Sequence, residues 1–247
     1  MYSIDYSQSV KRIADQRFAP NCITDSDPCR MIQSDTLQAA LIRHAIELPQ
    51  DQIDWLSWYC ELLWDWNQKL NLTRHTDFER FVSRDLVDTL ELSKLLAEGE
   101  EVLDVGSGGG VPGIPLAIIR PDLRVSLCDS VGKKAKVLEQ ITSDLDLPLP
   151  IYHGRVEAIL PDFRYDALVA RAVGPLWKIL TWLESSWPSV GRLFAIKGPR
   201  WVEERGEARH RGCFNKLQLR RVASYPLVGT ESESVILKIW PKGAPDR

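Results

Sequence analysis

The sequence predicts an α/β domain built on a mostly parallel sheet, with a helical segment in front of it. Three observations predict this class. Apolar residues show helical spacing before residue 99, short β-branched and aliphatic runs alternate with helical stretches after it, and a glycine-rich turn follows the first run. Alternation of short strands and helices is typical of a parallel sheet with helical crossovers, so we expect helices on both of its faces.

Composition places the chain among globular proteins. Its 247 residues are 44% hydrophobic and 26% charged, which suffices for one principal domain with a large core. The formal net charge of -3 gives no attraction of the whole molecule to polyanions, so any contact with nucleic acid requires a local basic face. Because no stretch resembles a signal peptide or a membrane span, we expect a cytoplasmic location.

The cysteine pattern indicates no cross-links. The cysteines stand at positions 22, 29, 60, 128 and 213, odd in number and widely spaced. They form no Cys-x-x-Cys pair, and no paired histidines lie nearby, so the sequence predicts neither a zinc site nor a disulfide framework. We expect reduced thiols and no metal.

Three segments are expected along the chain. Residues 1–33 are polar and aperiodic and predict a flexible extension. Residues 34–98 predict an N-terminal helical cap, whose first helix begins at Ser34 as N-cap and is stopped by Pro49. Residues 99–247 predict the domain that contains the sheet.

The second predicted helix of the cap, residues 53–70, is rich in tryptophan. Trp55, Trp58 and Trp66 widen its apolar surface. Such a cluster can stack on bases, but aromatic residues at helical spacing are more often core, and we interpret them as core.

A third helix is predicted from Phe78 to Leu96. It places Arg84, Asp85 and Asp88 near one another. Arg84 and Asp88 are four residues apart, so their side chains can meet on one helix face.

The alternating region predicts seven strands. Five strand-like runs alternate with helical stretches. Two more strand-like runs close the chain, and we expect them to form an antiparallel hairpin at one edge of the sheet. The strands are expected at 101–105, 124–129, 149–153, 166–170, 191–196, 216–224 and 233–240, and the helices near 115–120, 132–145, 156–160 and 175–186.

The most informative segment, residues 102–115, is a strand that runs into a turn with glycines at 106, 108, 109, 110 and 113. Glycine permits a positive φ and lets the backbone lie against a flat ligand, so the turn predicts a nucleoside-type cofactor, with Gly106 and Gly108 as candidate contacts. A P-loop would end in Gly-Lys-Ser or Gly-Lys-Thr. This loop runs on into Val111-Pro112-Gly113, which excludes a P-loop.

Two acids flank the loop and bear on the identity of the cofactor. Asp104 stands two residues before Gly106. S-adenosylmethionine carries a sulfonium and an ammonium group and no phosphate, so a nearby carboxylate favours it over a dinucleotide. Asp129 follows Gly106 by 23 residues, close to where such sheets place an acid for ribose hydroxyls. The alternative is that Asp129 caps the helix that begins near Gly132.

With these motifs, residues from about 55 to 240 resemble the RsmG (GidB) family, the 16S ribosomal RNA guanine-N7 methyltransferases. The resemblance implies a Rossmann-like class I methyltransferase that uses S-adenosylmethionine. The matching segments are Trp66-Asn67, Asn71-Leu72-Thr73, Arg84 to Thr89, Asp104 to Ile118, Asp129-Ser130 with Gly132-Lys133, Arg155-Val156-Glu157, Ala170-Arg171-Ala172 and Ile196-Lys197-Gly198.

The resemblance also implies individual site residues. By position, the cofactor contacts of the family fall on Gly106, Val111, Val156 and Glu157, and Arg171 is a further site residue at the end of the fourth predicted strand. An apolar side chain and a polar one after a strand end suit an adenine ring and its amino edge. For Arg171, the alternative is a surface ion pair with an acid such as Asp166.

Guanine N7 has an exposed lone pair, so methylation at this atom needs no general base. Alignment can then lower the barrier by up to ~7–11 kcal/mol. Asp85 or Asp88 is the candidate for stabilising the positive charge that develops on the ring, and Arg84 or Arg171 for holding phosphate or orienting these acids. The alternative is an exposed helix pair between Arg84 and Asp88.

This chain departs from the family pattern at two places. Asp85 stands where the family usually shows histidine, and Ser232-Glu233-Ser234 stands where an Arg-His pair is common. Both differences remove positive charge from regions where the family would hold RNA.

We expect 16S ribosomal RNA or the small subunit as partner, and a monomer. Two other interpretations stay open: an NAD-dependent oxidoreductase on the same sheet, and a cofactor-binding family member with reduced activity or a different substrate. The basic residues expected to hold RNA are Lys133, Lys134, Lys197, Arg200, Arg205, Arg209, Arg211, Arg220 and Arg221.

Overall fold

The computed structural model describes residues 35–228 and 231–244, which belong to one compact unit that begins at Asp35. The predictions for the extension 1–33, for Ser34 as an N-cap and for the cysteines at positions 22 and 29 lie outside the described residues. The first described cap is Thr36, whose Oγ1 accepts the N–H of Ala39 at 3.2 Å. A threonine side chain at this position satisfies a helix N–H that has no partner within the helix.

Three helices precede the sheet. Helix α1 spans Leu37–Arg43 and α2 spans Gln50–Asn67. Helix α3 runs from Phe78 to Ser93, but its middle section, Phe81–Leu86, is π-helical, with α-helical turns on either side. The predicted third helix is therefore confirmed in position, while its internal spacing differs from that of a regular α-helix.

The described residues form the expected seven-stranded sheet. The strand order is β3-β2-β1-β4-β5-β7-β6, in which β1 to β5 are parallel and β7 runs antiparallel to both β5 and β6. The mostly parallel sheet and the antiparallel edge hairpin are both confirmed. The strands are β1 Glu101–Val105, β2 Arg124–Asp129, β3 Ile151–His153, β4 Tyr165–Arg171, β5 Val190–Lys197, β6 Leu217–Pro226 and β7 Glu233–Pro241.

The helices between strands are α4 Gly113–Ile119, α5 Gly132–Asp144, α6 Val156–Ile159, α7 Leu176–Trp182 and α8 Trp201–His210. Helix α8 was absent from the sequence prediction. It is strongly polar, and Ala208 is its buried residue. With so few apolar positions, the helical period that reveals a helix in the sequence is missing.

Helices cover both faces of the sheet. Val102 and Leu103 are consecutive residues of β1, and they enter two different apolar clusters, because successive strand side chains point to opposite faces. The first cluster includes residues of α1 to α5, and the second includes residues of α6 to α8. Because α2 packs against α4 and α5, the helical cap shares the core of the sheet. The boundary expected at residues 98 and 99 stays a prediction.

The tryptophans of α2 confirm the interpretation as core. Trp55, Trp58 and Trp66 are partly buried against the first apolar cluster.

Within the described ranges, no helix combines the length and the apolar character needed to cross a bilayer.

The described cysteines, Cys60, Cys128 and Cys213, are free thiols. Burial raises the pKa of Cys128 to about 12 and the pKa of Cys60 well above its ordinary value. A thiol with so high a pKa is rarely ionised at neutral pH, so neither side chain is suited to act as a nucleophile.

Candidate active site

The site lies where the strand order reverses. Strands β1 and β4 are parallel neighbours, but the chain proceeds from β1 to β2 on one side and from β4 to β5 on the other. Their following helices, α4 and α7, therefore pack on opposite faces of the sheet and leave a crevice at the strands' carboxyl ends. Ligands of open α/β sheets bind at this position.

A cavity of about 380 Å³ fills part of this crevice, and we call it the first cavity. Its volume lies within the range of small-molecule sites. The predicted cofactor residues Gly106, Asp129, Val156 and Glu157 all line it. The other lining residues are Val105, Cys128, Ser130, Lys134, Gly154, Arg155, Ala172, Val173, Lys178 and Trp182.

Gly106 forms the turn from β1 into the crevice. Its φ is 71°, in the left-handed region, and its N–H donates to the carbonyl of Cys128 at 2.8 Å. A Cβ at this position would lie 2.9 Å from Cγ2 of Val173, which lines the first cavity. Both the backbone conformation and the close approach therefore require glycine.

Asp129 connects the glycine loop to the end of β2. Its Oδ2 accepts the N–H of Gly108 at 2.9 Å, and its Oδ1 accepts the N–H of Val131 at 2.8 Å. Each carboxylate oxygen has a second lone pair that can accept a further hydrogen bond. Helix α5 has Val131 as N-cap without a side-chain cap bond, so Asp129 is not the cap of that helix. Ribose binding by Asp129 stays a prediction.

Asp104 lies behind the loop and is not among the residues that line the first cavity. It is 1% exposed, and its Oδ2 accepts the N–H of Gly113 at 3.1 Å. Within the described residues its Oδ1 has no hydrogen-bond partner. Burial is the largest influence on Asp104 and raises the pKa of its carboxyl to about 7. In the structure Asp104 fixes the backbone at Gly113, and its predicted role toward the charge of the cofactor stays a prediction.

The raised pKa of Asp104 makes the stability of the protein depend on pH. The folded state keeps a proton that the unfolded chain, with a carboxyl pKa of about 3.9, loses. We expect the free energy of unfolding to fall by several kcal/mol, in order of magnitude, as pH rises from about 4 to about 7. Asp104→Asn should remove most of this decrease, which urea unfolding between pH 5 and pH 8 measures. The control is Asp162→Asn at an exposed position, which should keep the decrease. If the free energy of unfolding of Asp104→Asn fell with pH as much as that of the wild-type protein, the expectation would be contradicted.

A second cavity, of about 970 Å³, adjoins the first, and Lys134 and Ala172 line both. It lies between the loop 71–75 and the ends of β4 and β5. Ala172 has a φ of 55°, which a residue with a Cβ adopts only when its surroundings enforce it. The second cavity is lined by Asn71, Leu72, Thr73, Arg74, His75, Asp88, Lys134, Arg171, Ala172, Gly174, Ile196, Lys197, Gly198, Glu204 and Ser234.

A buried ion-pair network forms one wall of the second cavity. The Nε of Arg171 donates to Asp88 and one of its terminal nitrogens donates to Asp85, both at 2.6 Å. Asp88 also accepts the hydroxyl of Tyr225, and Asp85 contacts Nδ1 of His75, both at 2.7 Å. Burial lowers the pKa of Arg171, but the two carboxylates raise it further, so the net pKa lies above the ordinary value.

The predicted pair of Arg84 with Asp88 is wrong. The π-helical turn Phe81–Leu86 changes the spacing on which the pair depends. The guanidinium of Arg84 instead donates to the carbonyl of Val228 at 3.3 Å, while Asp88 is buried and bound to Arg171. The alternative of an exposed helix pair is wrong for the same reason.

The alternative pairing of Arg171 with Asp166 is also wrong, because Arg171 pairs with Asp85 and Asp88, while Asp166 accepts the N–H of Glu101 at 2.9 Å. Sequence reasoning missed Tyr225 and His75. Tyr225 stands near the end of an edge strand and His75 in a loop, and no spacing rule links either of them to Arg171. Asp85 is 1% exposed, so its replacement of histidine does not change the charge of an RNA-facing surface.

The helical cap fixes two loops of the site. Oδ1 of Asn67, the last residue of α2, accepts the N–H groups of Leu72 and Thr73 at 2.8 and 3.0 Å. The hydroxyl of buried Tyr59 donates to the carbonyl of Gly109 at 2.8 Å. The cap therefore holds both the glycine loop and the loop that borders the second cavity.

Lys197, one of the basic residues expected to hold RNA, is buried and paired in the structure. It is 7% exposed, and its Nζ donates to the carbonyl of Gly174 at 2.5 Å and to Glu204 at 2.7 Å. Glu204 also accepts the N–H of Leu176 at 2.9 Å. Lys197 lines the second cavity, but its ammonium group is paired with Glu204 and fixes the turn after β4, so its contact with RNA stays a prediction. Lys134 lines both cavities.

The remaining predicted residues lie around the loop. Gly108 has a φ of 59° and donates to Asp129. Val111 packs partly buried against the first apolar cluster and lies outside the lining of both cavities, so its contact with a cofactor stays a prediction. In residues 35–228 and 231–244, no group of three or more His, Cys, Asp or Glu side chains is arranged to hold a metal ion.

The seven-stranded, mostly parallel sheet with helices on both faces is a Rossmann-like α/β fold of the class I methyltransferase type. Among solved structures, a mutant of MtNAS has a TM-score of 0.53 at 15% identity, covering 97% of this chain and 100% of that one. A putative transferase from Pyrococcus horikoshii has a TM-score of 0.50 at 11% identity, covering 64% of this chain and 63% of that one. At such low identities, these likenesses show the fold alone.

The chain belongs to the rRNA small subunit methyltransferase G family, whose model matches residues 52–232. A ribosomal RNA small subunit methyltransferase G from Rhodopirellula baltica is 52% identical over 77% of this chain and 82% of its own length. The protein of the same name from Chromobacterium violaceum is 42% identical over 68% of this chain and 81% of its own. The protein of the same name from Nitrosococcus oceani is 33% identical over 87% of this chain and 98% of its own length.

Proposed function

We propose that this protein transfers the methyl group of S-adenosylmethionine to N7 of a guanine in 16S ribosomal RNA. The observation that carries the proposal is the meeting of the two cavities at Lys134 and Ala172. A nucleoside cofactor in the first cavity and a base in the second would meet beside the buried Arg171 network. The names of the relatives support ribosomal RNA as the substrate, and family membership leaves the oxidoreductase alternative without support.

The residues of the first cavity fit this methyl donor. Asp129 has lone pairs left for ribose hydroxyls, and Val156 and Glu157 stand together at the start of α6, where an adenine ring and its amino group can be bound. Lys134 and Lys178 suit the carboxylate of the methionine part. When bound, the donor supplies an electrophilic methyl group.

One wall of the second cavity carries acidic side chains that can face a ring that becomes positively charged, while Arg74, Lys134 and Lys197 line other parts of the cavity. Asp85 and Asp88 carry two negative charges and Arg171 one positive charge, so this group of three has a net charge of minus one. Asp88 and Arg171 line the cavity. The carboxylate of Asp88, which lines this wall, can stabilise the cation formed when N7 is methylated. Because N7 has a free lone pair, the chain's own residues have only to position the base.

A basic and aromatic face beside the second cavity is the candidate for RNA contact. Arg205 and Arg221 both lie against the ring of Trp201, at 5.2 and 5.7 Å from its centroid. Arg211 lies 3.9 Å from the ring centroid of Trp177. The rings hold these guanidinium groups in place on α8, directly after α8 and on β6, where phosphates can approach them.

Replacing Arg205 and Arg221 by glutamine should weaken binding to a similar degree for RNAs of any sequence, because contacts with phosphate do not depend on the bases. Each lost phosphate contact should reduce the slope of log affinity against log salt by about 1. Filter binding of 16S RNA fragments at several salt concentrations measures this slope, and binding of S-adenosylhomocysteine should be unchanged. An unaltered slope would place RNA on another face.

Small ribosomal subunits from a strain that lacks this methylation test the proposed function directly. Incubation with the protein and a labelled methyl donor should yield label in 7-methylguanosine when the RNA is digested to nucleosides and separated by mass spectrometry. Label in another nucleoside, or none, would contradict the proposal. A monomeric state and a cytoplasmic location, both expected from the sequence, belong to the same proposal, and sedimentation of the purified chain tests the former.

A further inference from the structure

His75 stands in the wall of the second cavity, beside the ion-pair network. Its side chain is 27% exposed, and its Nδ1 lies 2.7 Å from Oδ1 of Asp85. The backbone of His75 is held on both sides. Its N–H donates to Oγ1 of Thr73 at 3.0 Å, and its carbonyl accepts Nε1 of Trp64 at 2.8 Å. The imidazole is therefore fixed at the edge of the cavity.

The contact with Asp85 determines which ring nitrogen carries the proton. The same carboxylate oxygen accepts an N–H of Arg171 at 2.6 Å, so it acts as an acceptor. Nδ1 of His75 must then be the donor, and a neutral ring of this tautomer has a lone pair at Nε2. In the part of the chain that the structure describes, Nε2 has no hydrogen-bond partner.

We propose that Nε2 of His75 binds an N–H group of the target guanine, which makes His75 a substrate-binding residue that selects the base. This inference rests on the proposed function. Guanine carries N–H donors at N1 and at its 2-amino group, whereas adenine has an acceptor at N1 and its donor at the 6-amino group, so an acceptor that faces position 1 distinguishes the two bases. N1 and the 2-amino group lie on the Watson–Crick edge of guanine, and enzymes that act on a displaced base recognise it through hydrogen bonds to this edge. The role is separate from methyl transfer, since N7 needs no base to remove a proton.

Two substitutions separate this role from a structural one. The amide of His75→Asn can replace Nδ1 as a donor to Asp85 but has nothing at the position of Nε2. The longer amide of His75→Gln reaches the position of Nε2 and loses the donor to Asp85. The measurements are kcat and KM for labelling of small-subunit RNA, the affinity for S-adenosylhomocysteine by calorimetry, and the Tm. Exposed His210→Asn is the control.

We expect His75→Asn to lower kcat/KM for RNA at least about tenfold, with cofactor affinity and Tm unchanged, and His75→Gln to restore part of the loss. Full activity of His75→Asn, or a loss accompanied by lower cofactor affinity and Tm, would overturn the inference. If the wild-type protein labelled no guanine, the proposed function itself would be contradicted. Failure of the inference about His75 is therefore distinguishable from failure of the proposed function.

Discussion

Replacement of Arg171 by methionine is expected to abolish methylation and to lower the free energy of unfolding by about 3–5 kcal/mol. The guanidinium stands between Asp85 and Asp88, which are 1% and 5% exposed. Without it, two carboxylates remain buried at close range with no counter-charge, and one of them must take up a proton or draw in water. The wall of the second cavity would then lose its arrangement.

Urea unfolding and the methylation assay together measure the effect of Arg171→Met. Arg124→Met is the matched control, because Arg124 pairs with Glu101 where both side chains are well exposed. An exposed pair contributes about 0–1 kcal/mol, so this control should keep full activity. Adding Asp85→Asn and Asp88→Asn to Arg171→Met should recover part of the lost stability, because the uncompensated charges are gone. An Arg171→Met protein as stable as the Arg124→Met control would contradict the description of the network.

Gly106→Ala is expected to weaken the binding of S-adenosylhomocysteine at least about tenfold. The added Cβ would lie 2.9 Å from Val173 in a residue with a φ of 71°, so the loop or the cavity wall must move. Overpacking of this kind costs about 1–3 kcal/mol, and about 1.4 kcal/mol corresponds to a tenfold change in affinity. Calorimetric titration of folded protein measures the change.

The chain offers a matched control for Gly106. Gly99 has a φ of 75°, and a Cβ there would have no atom within 4 Å. Gly99→Ala therefore introduces the same backbone strain without the close contact and outside the site. We expect both variants to lose stability through the backbone strain, Gly106→Ala more than Gly99→Ala because of the added contact with Val173, and only Gly106→Ala to lose cofactor affinity. Equal affinities in the two variants would show that the loop does not shape the cofactor site.

The sheet and the crevice at the carboxyl ends of its strands were predictable because their signals are local. Strands β1, β4, β5 and β7 each contain a short aliphatic run, and the glycine turn follows β1 directly in the sequence. Asp129 ends β2 and Glu157 follows β3, and parallel strands bring such ends to the same edge, so their neighbourhood follows from the fold class. Helix α8 was missed because its polar sequence has no apolar period.

The network around Arg171 was not predictable, because it depends on long-range contacts. Asp88 and Tyr225 are 137 residues apart, and their contact requires the edge strand β6 to pass close to α3. The π-helical section of α3 also invalidates the i to i+4 rule by which Arg84 was paired with Asp88. Spacing rules describe regular helices and strands, and the chemistry of this wall depends on a departure from them.

A crystal structure with S-adenosylhomocysteine tests the central claim most directly. The account predicts the nucleoside in the first cavity, with its ribose hydroxyls on Asp129, its adenine beside Val156 and Glu157, and its sulfur directed towards Ala172 and the second cavity. Ligand density outside this crevice, or a nucleoside placed with its sulfur away from Ala172, would contradict it.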